Sequence, residues 1–384
     1  MRYRTVLKTL CGLLGVVFLP VVAIAVLYAV YRPAGRPTLD RDRDWKPSVS
    51  VVIPTYNEAT LVGDRLAALL GTTYPTDQLE ILVVDDSTDE TAAEVRAFAN
   101  DRATDATIRV IEREERAGVA AALNNGVTAA TGEVVFRTDA DARLGDETIS
   151  EAVAALADPA VGGVTGRQTG VVGDSAVESD YRSLLARLQA LETRIDSVFI
   201  AHGPCFAFER EAFEPLPPDT VADDTAVAVG IRRGGRRVVM DPALEFTEGA
   251  TSDIRHRRER KDRRAVGLLQ QLVRHRSLLG RQGGYGRVVL PLNWGLMVVV
   301  PWVLAVVAGV ATLGGIAVAG PVGLLLPAVA GGFLLLGSRE ALGPLQPLHA
   351  VADAYLSLLI AGGRLVRGND TAAWDTDTGR EGFD

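Results

Sequence analysis

Asp139-Ala140-Asp141 sets two carboxylates on either side of a small residue, shortly after the apolar run Val134-Val135-Phe136. A strand ending in such a pair presents both side chains at its mouth. Hard oxygen donors there can hold Mg²⁺ or Mn²⁺ and leave the rest of the metal's shell to phosphates. A D-x-D triplet alone is also what a solvated acidic turn looks like. Two more polar clusters strengthen it: Tyr56-Asn57-Glu58 follows Val51-Val52-Ile53-Pro54, and Asp85-Asp86-Ser87 follows Val83-Val84. Asp85 and Asp86 are equally placed to cap a following helix, and Glu58 to act as a first-turn acid.

The elements that must position these clusters alternate in kind. Residues 51–54, 80–84, 108–111 and 134–138 are short and β-rich, and the spacing predicts strands. Residues 58–70, 90–100 and 118–130 between them have helical periodicity. Such alternation implies an α/β domain, a mostly parallel sheet with helices on its faces. Ligands of these sheets bind beyond the carboxyl ends of the strands. The three polar clusters are therefore expected to converge on one crevice.

The ends of the 384-residue chain are of another character. Residues 10–31 are apolar and uncharged, enough for one membrane crossing of about 20 residues and longer than the apolar core of a secretory signal. Residues 1–36 are thus expected to form an anchor with its flank, and 32–47 a linker. Residues 48–250 would form the catalytic domain and 251–286 basic interfacial helices. Residues 288–363 would hold two or three membrane helices, with a break near Gly314-Gly315 or Gly320-Pro321. Asp353 and His349 make the last of these ambiguous between a crossing and an interfacial helix. Residues 368–384 form a polar tail. The run Arg255, Arg257, Arg258, Arg260, Lys261, Arg263 and Arg264 suits either a cytoplasmic topology signal or a surface for anionic headgroups. Both put the catalytic domain on the cytoplasmic side of the cell membrane. Net charge is −8, which argues against a nucleic-acid partner. Cys11 and Cys205 offer no disulfide framework, and the four histidines show no zinc-ligand spacing.

Taken in order, 51–58, 83–89 and Asp139-Ala140-Asp141 resemble the opening of a family 2 inverting glycosyltransferase. The likeness continues through Ala121-Ala122-Leu123-Asn124, Gly203-Pro204-Cys205-Phe206-Ala207-Phe208 and Ala222-Asp223-Asp224, over roughly residues 48–275. It implies a GT-A fold and transfer of a sugar from a nucleotide-diphospho-sugar, a UDP- or GDP-sugar, with Mg²⁺ or Mn²⁺. By resemblance Asp141 is the more direct metal ligand, and Asp139 reaches the metal or the ribose. Pro54, Tyr56, Glu58 and Asp86 would line the base and ribose site. Asp224 would take the acceptor's proton, as a carboxylate close to the attacking oxygen can. Asp223, standing where relatives have glutamate, and Gln271 would lie on the acceptor side.

Gln271-Leu272-Val273-Arg274-His275 stands where polymerising members carry Q-x-x-R-W. Arg274 could meet the donor pyrophosphate bidentately, but histidine replaces the indole that stacks on acceptor sugar. Gly118-Val119 replaces a frequent Gly-Lys, with Arg116 nearby as a substitute cation. The implied activity is a membrane-bound hexosyltransferase adding one sugar to a lipid-linked or glycan acceptor. The alternative is a processive synthase of the cellulose or hyaluronan type, and the missing tryptophan counts against it.

Overall fold

A computed structural model describes residues 2–31, 39–113, 117–171, 176–249 and 254–368. Arg116, the first part of the linker and the tail from residue 369 lie outside these, as do the side chains of Arg255 and Arg257. Helix α1 (Arg2–Tyr31) comes first, and the α/β domain follows. The domain opens with β1 (Val49–Thr55), α2 (Ala59–Leu70), β2 (Leu79–Asp85), α3 (Thr91–Asp101), β3 (Thr107–Glu112), α4 (Val119–Ala129) and β4 (Val134–Arg137). The expected alternation is present, each boundary within two residues.

β1 pairs in parallel with β2 and with β4, and β2 with β3. β-branched residues dominate β1 because both its faces are covered. Val49, Val51 and Ile53 pack on one side with Leu61, Val62 and Leu66 of α2; Val52 packs on the other with Leu123 and Val127 of α4. Gly126 permits that second approach, since a Cβ there would lie 2.5 Å from Val52 Cγ1. Burying each such side chain contributes roughly 1.5–3 kcal/mol.

β5 (Arg143–Leu144), β6 (Val161–Val171), β7 (Phe206–Glu209) and β8 (Arg237–Glu248) extend the sheet to the order β3-β2-β1-β4-β7-β6-β8-β5. β7 runs antiparallel to β4 and β6, so the second half is mixed. Helices α5 (Thr148–Leu156), α6 (Ala176–Ile195) and α7 (Asp223–Arg233) flank it, and α8 (Ile254–Arg274) carries the basic run.

The apolar C-terminal part contains α9 (Leu290–Trp294), α10 (Val300–Ala319), α11 (Leu325–Ser338) and α12 (Gln346–Val366). Among the described residues one helical stretch, Tyr285–Ser338, is long and apolar enough to cross a membrane; the apolar N-terminal helical stretch, Val17–Tyr31, is shorter. Of the two expected breaks, Gly314-Gly315 lies inside α10. The chain turns at Gly320, where φ is +60°. Gly323 then packs against the earlier helix so tightly that a Cβ would sit 2.2 Å from the Ile316 nitrogen.

A third apolar cluster joins this part to the domain, with Phe199 and Val229 against Leu269, Leu272, Leu290 and Ala361. Glu192 of α6 is buried in the same joint, accepting from Asn293 Nδ2 at 2.6 Å and the Phe199 N–H at 3.0 Å. Burial pushes its carboxyl up to about 7, against the pull of those two donors. The folded protein thus keeps a proton that the unfolded chain, with an ordinary value of 4.5, releases. That stabilisation is complete below pH 4.5 and is lost as pH rises through about 7. Glu192→Gln should flatten the fall in melting temperature across this window. Parallel wild-type and variant profiles would show that Glu192 does not titrate there.

Candidate active site

The β1 and β2 loops are stitched together before they reach the crevice. Thr55 Oγ1 donates to Asp85 Oδ1 at 2.7 Å, and Asn57 accepts the Thr88 N–H at 2.9 Å. Asn57 has φ +54°, a left-handed turn that asparagine tolerates better than most residues. Asp85 is thereby used inside the fold, while Asp86 faces the crevice with Arg113 Nη1 at 3.3 Å. Neither caps α3, because Asp89 Oδ1 accepts the Thr91 N–H at 3.0 Å.

Beneath the D-x-D loop lies Arg65, an arginine set in the buried face of α2. Its Nη1 donates to the Ala142 carbonyl at 3.0 Å and its Nη2 to Thr138 Oγ1 at 2.6 Å. Burial pulls Arg65 down to about 10, although Asp139 and Asp141 oppose that, so it remains charged at neutral pH. Asp139 and Asp141 are held at the crevice wall from below.

The centre of the site is Arg137, at the end of β4 and buried. Its Nη1 lies 3.0 Å from Asp139 Oδ1 and its Nη2 3.5 Å from Asp223 Oδ2. Burial disfavours the guanidinium, but Asp139, Asp223 and Asp224 more than reverse this and hold its proton more tightly than usual. Asp223 is pushed up to about 6, by burial first and by the Asp224 and Asp139 charges, against the pull of Arg137. Gly203 packs directly on Arg137; a Cβ there would sit 1.8 Å from Nη1. The Gly203 N–H also donates to Asp224 Oδ2 at 3.1 Å, and the Thr225 N–H to Asp224 Oδ1 at 2.6 Å. Asp224 is oriented at the start of α7 by two backbone donors.

These parts surround one open crevice. Pro54, Tyr56, Glu58, Asp86, Asp139, Asp141, Asp223 and Asp224 all line it. Glu248 at the end of β8 joins them. Burial raises its proton affinity and Arg264 opposes this, while Asp141 and Asp139 raise it further. Arg260, Arg263 and Arg264 of α8 line the same crevice. Arg264 donates to Nδ1 of buried His202 at 3.2 Å. Burial and Arg264 push His202 down to about 3, so its ring is neutral.

Two expected residues fall elsewhere. Gln271 is fully buried, and Arg274 donates to Thr220 Oγ1 at 3.1 Å and Asp219 Oδ2 at 2.6 Å. Thr220 lines the crevice, but neither of the two does.

Residues 50–216 match the family model "Glycosyl transferase family 2", and residues 134–335 match "Glycosyl transferase family group 2". The chain is a family 2 glycosyltransferase. A solved structure similar to this transferase over 93% of its chain, and 98% of the other, is the mannosyltransferase PcManGT of Pyrobaculum calidifontis in complex with GDP-Man and Mn²⁺. The two are 29% identical, with a TM-score of 0.75. An N-acetylglucosaminyltransferase of Rhizobium leguminosarum bv. viciae is 27% identical over 47% of the chain and 43% of its own length. A poly-beta-1,6-N-acetyl-D-glucosamine synthase of Staphylococcus epidermidis is 24% identical over 47% and 44%. The transferase thus spans less than half the length of these curated relatives. Its mixed α/β sheet with flanking helices matches the GT-A fold.

Sequence reasoning passed over Arg65, Arg137 and Glu248 of the transferase. Arg137 carried a signal, since strand alternation puts it on the side of Asp139. Arg65 carried another, as a lone charge in the apolar stripe of Leu61, Val62, Leu66 and Leu69. Glu248 had none beyond ending a strand. Gly203→Ala must displace Arg137 and the Asp224 donor together. Transfer by that variant should fall about 10²-fold, the scale of a 1 Å misplacement, in single-turnover assays. Unchanged turnover would remove Gly203 from the machinery.

Proposed function

We propose that this protein is a membrane-associated, inverting transferase that moves a single sugar from a nucleoside-diphospho-sugar to a lipid-linked acceptor. One observation carries the reading. The Asp139/Asp141 pair and the Asp223/Asp224 pair meet in one crevice, roofed by a basic helix that leads into the apolar stretch Tyr285–Ser338. Residues 1–36 and 288–363 would anchor the chain, with the 48–250 domain on the cytoplasmic side and 251–286 at the bilayer surface.

The donor base and ribose would lie against Pro54, Tyr56, Glu58 and Asp86, with the diphosphate toward Asp139 and Asp141. Carboxylates outnumber arginines along the crevice, so an anionic diphosphate needs positive charge beside it. Among the described residues no three metal-ligating side chains converge. Two hard-oxygen donors fit an ion that takes its other ligands from phosphate and water. A divalent cation held there, Mg²⁺ or Mn²⁺, would stabilise the charge on the departing diphosphate. The Mn²⁺ of the similar mannosyltransferase complex supports this assignment.

The acceptor oxygen would attack the anomeric carbon from the face opposite the diphosphate. As the bond to the diphosphate breaks, the acceptor's proton passes to Asp224, which Gly203 and Thr225 hold in place. A phosphate acceptor, already ionised at neutral pH, needs no such transfer and would use Asp224 only for orientation. Arg260, Arg263 and Arg264 suit a phosphate on the acceptor's lipid side. A membrane-held acceptor gains effective concentration at a crevice kept beside the bilayer.

A second reading, a processive synthase, is favoured by the likeness to the poly-N-acetylglucosamine synthase. His275 in place of tryptophan counts against it.

Membranes containing the full chain should transfer label from one of a panel of radiolabelled UDP- and GDP-sugars into lipid-extractable product. EDTA and Asp141→Asn should each abolish the label while the protein stays folded and membrane-bound. Activity surviving Asp141→Asn would sink the metal assignment. Long insoluble product would favour the synthase, and absence of label with every donor would count against transfer.

A further inference from the structure

Helix α8 carries cations on two faces, and a different partner meets each. At 100° per residue, Arg260, Arg263 and Arg264 centre roughly 140° around the helix from Arg258 and Lys261, with Lys261 and Arg264 neighbours at the seam. The first group lines the crevice. The second is engaged from behind by one carboxylate: Asp353 of α12 accepts from Arg258 Nη1 on one oxygen and from Lys261 Nζ on the other. Arg258 Nε also lies 3.1 Å from Asp262 Oδ1, one turn along α8. Asp353 stands in an otherwise apolar stretch of α12, and below it Leu358, Ala361 and Leu365 pack in the cluster that holds Leu268, Leu269 and Leu272 of α8. Apolar packing fixes how close the two helices lie but is tolerant of a slide or a rotation. The double ion pair is the directional contact between them.

We propose that Asp353 is a positioning residue for substrate binding: by fixing Arg258 and Lys261 on the α12 side, it sets the rotation of α8 and aims Arg260, Arg263 and Arg264 into the crevice. It touches no substrate, and it acts through α8. The inference rests on the reading of those three arginines as the site of the acceptor's phosphate. It adds that the anion's affinity is set from outside the crevice, by an acidic residue on a helix of the membrane part. Losing Asp353 would also leave Arg258 with Asp262 as its carboxylate and take from Lys261 the carboxylate of α12, freeing α8 to turn both elsewhere.

The test uses the full chain in detergent, with farnesyl monophosphate as the acceptor-side probe and UDP and GDP with Mn²⁺ as donor-side probes. Wild type, Asp353→Asn, Asp353→Glu, Arg258→Gln with Lys261→Gln, and Arg263→Gln with Arg264→Gln are compared by ligand-induced shift in melting temperature. Asp353→Asn should weaken farnesyl phosphate binding about tenfold, within the range of a small misplacement of binding groups. Nucleotide affinity should stay within about twofold, Asp353→Glu should recover most of the loss, and Arg258→Gln with Lys261→Gln should reproduce it. Removing the pair from the α8 side also covers the case in which Asp353→Asn alone folds poorly. Asp353→Asn binding the probe like wild type, or losing probe and nucleotide equally, overturns the proposal. Farnesyl phosphate failing to bind wild type, or binding the double arginine variant undiminished, instead overturns the phosphate reading, and this proposal with it.

Discussion

A cation buried among carboxylates governs the architecture of this protein. Arg137 lies between Asp139 of the β4 loop and Asp223 of α7, segments more than 80 positions apart in the chain. Removing the arginine of such a cluster leaves buried carboxylate charge uncompensated, a cost of roughly 3–5 kcal/mol. The surroundings therefore fit it closely. Gly203 has no side chain because the guanidinium occupies that space, and β7, which follows it, pairs antiparallel with β4 and brings the Gly203 turn back over Arg137. Arg65 supports the same loop from the opposite side of the sheet.

That arrangement also explains why the sheet changes character halfway. The parallel half, β3-β2-β1-β4, delivers three loops to one edge, which suffices for a nucleotide. A reaction between two substrates needs a second wall. The antiparallel β7, with the long pair β6 and β8 beyond it, supplies one by carrying Gly203, Asp223-Asp224 and Glu248 to the same edge.

Most of the parallel half was legible in the sequence, because its helices and strands follow local periodicity and its polar clusters interrupt apolar runs. Tyr56, Asp86 and Asp139 could be placed on one crevice from topology alone. The residues that escaped depend on partners distant in sequence. Arg65 and Arg137 each break an apolar pattern, but the loops they support lie more than 60 positions away or across the sheet. Gln271 and Arg274 lie off the crevice lining: Gln271 is fully buried, and Arg274 turns to the loop of Asp219 and Thr220. Asp85 and Asp86, adjacent in the chain, face opposite ways because a strand end alternates sides.

The partner given to Arg264 has an electrostatic consequence. An arginine paired with a carboxylate is cancelled at a distance, as happens to Arg258 and Lys261 on the far side of α8. Arg264 is steadied instead by an imidazole that burial keeps uncharged down to about pH 3. It is oriented by an uncharged group, so the charge it presents is shared with the acids of the crevice, Glu248 among them.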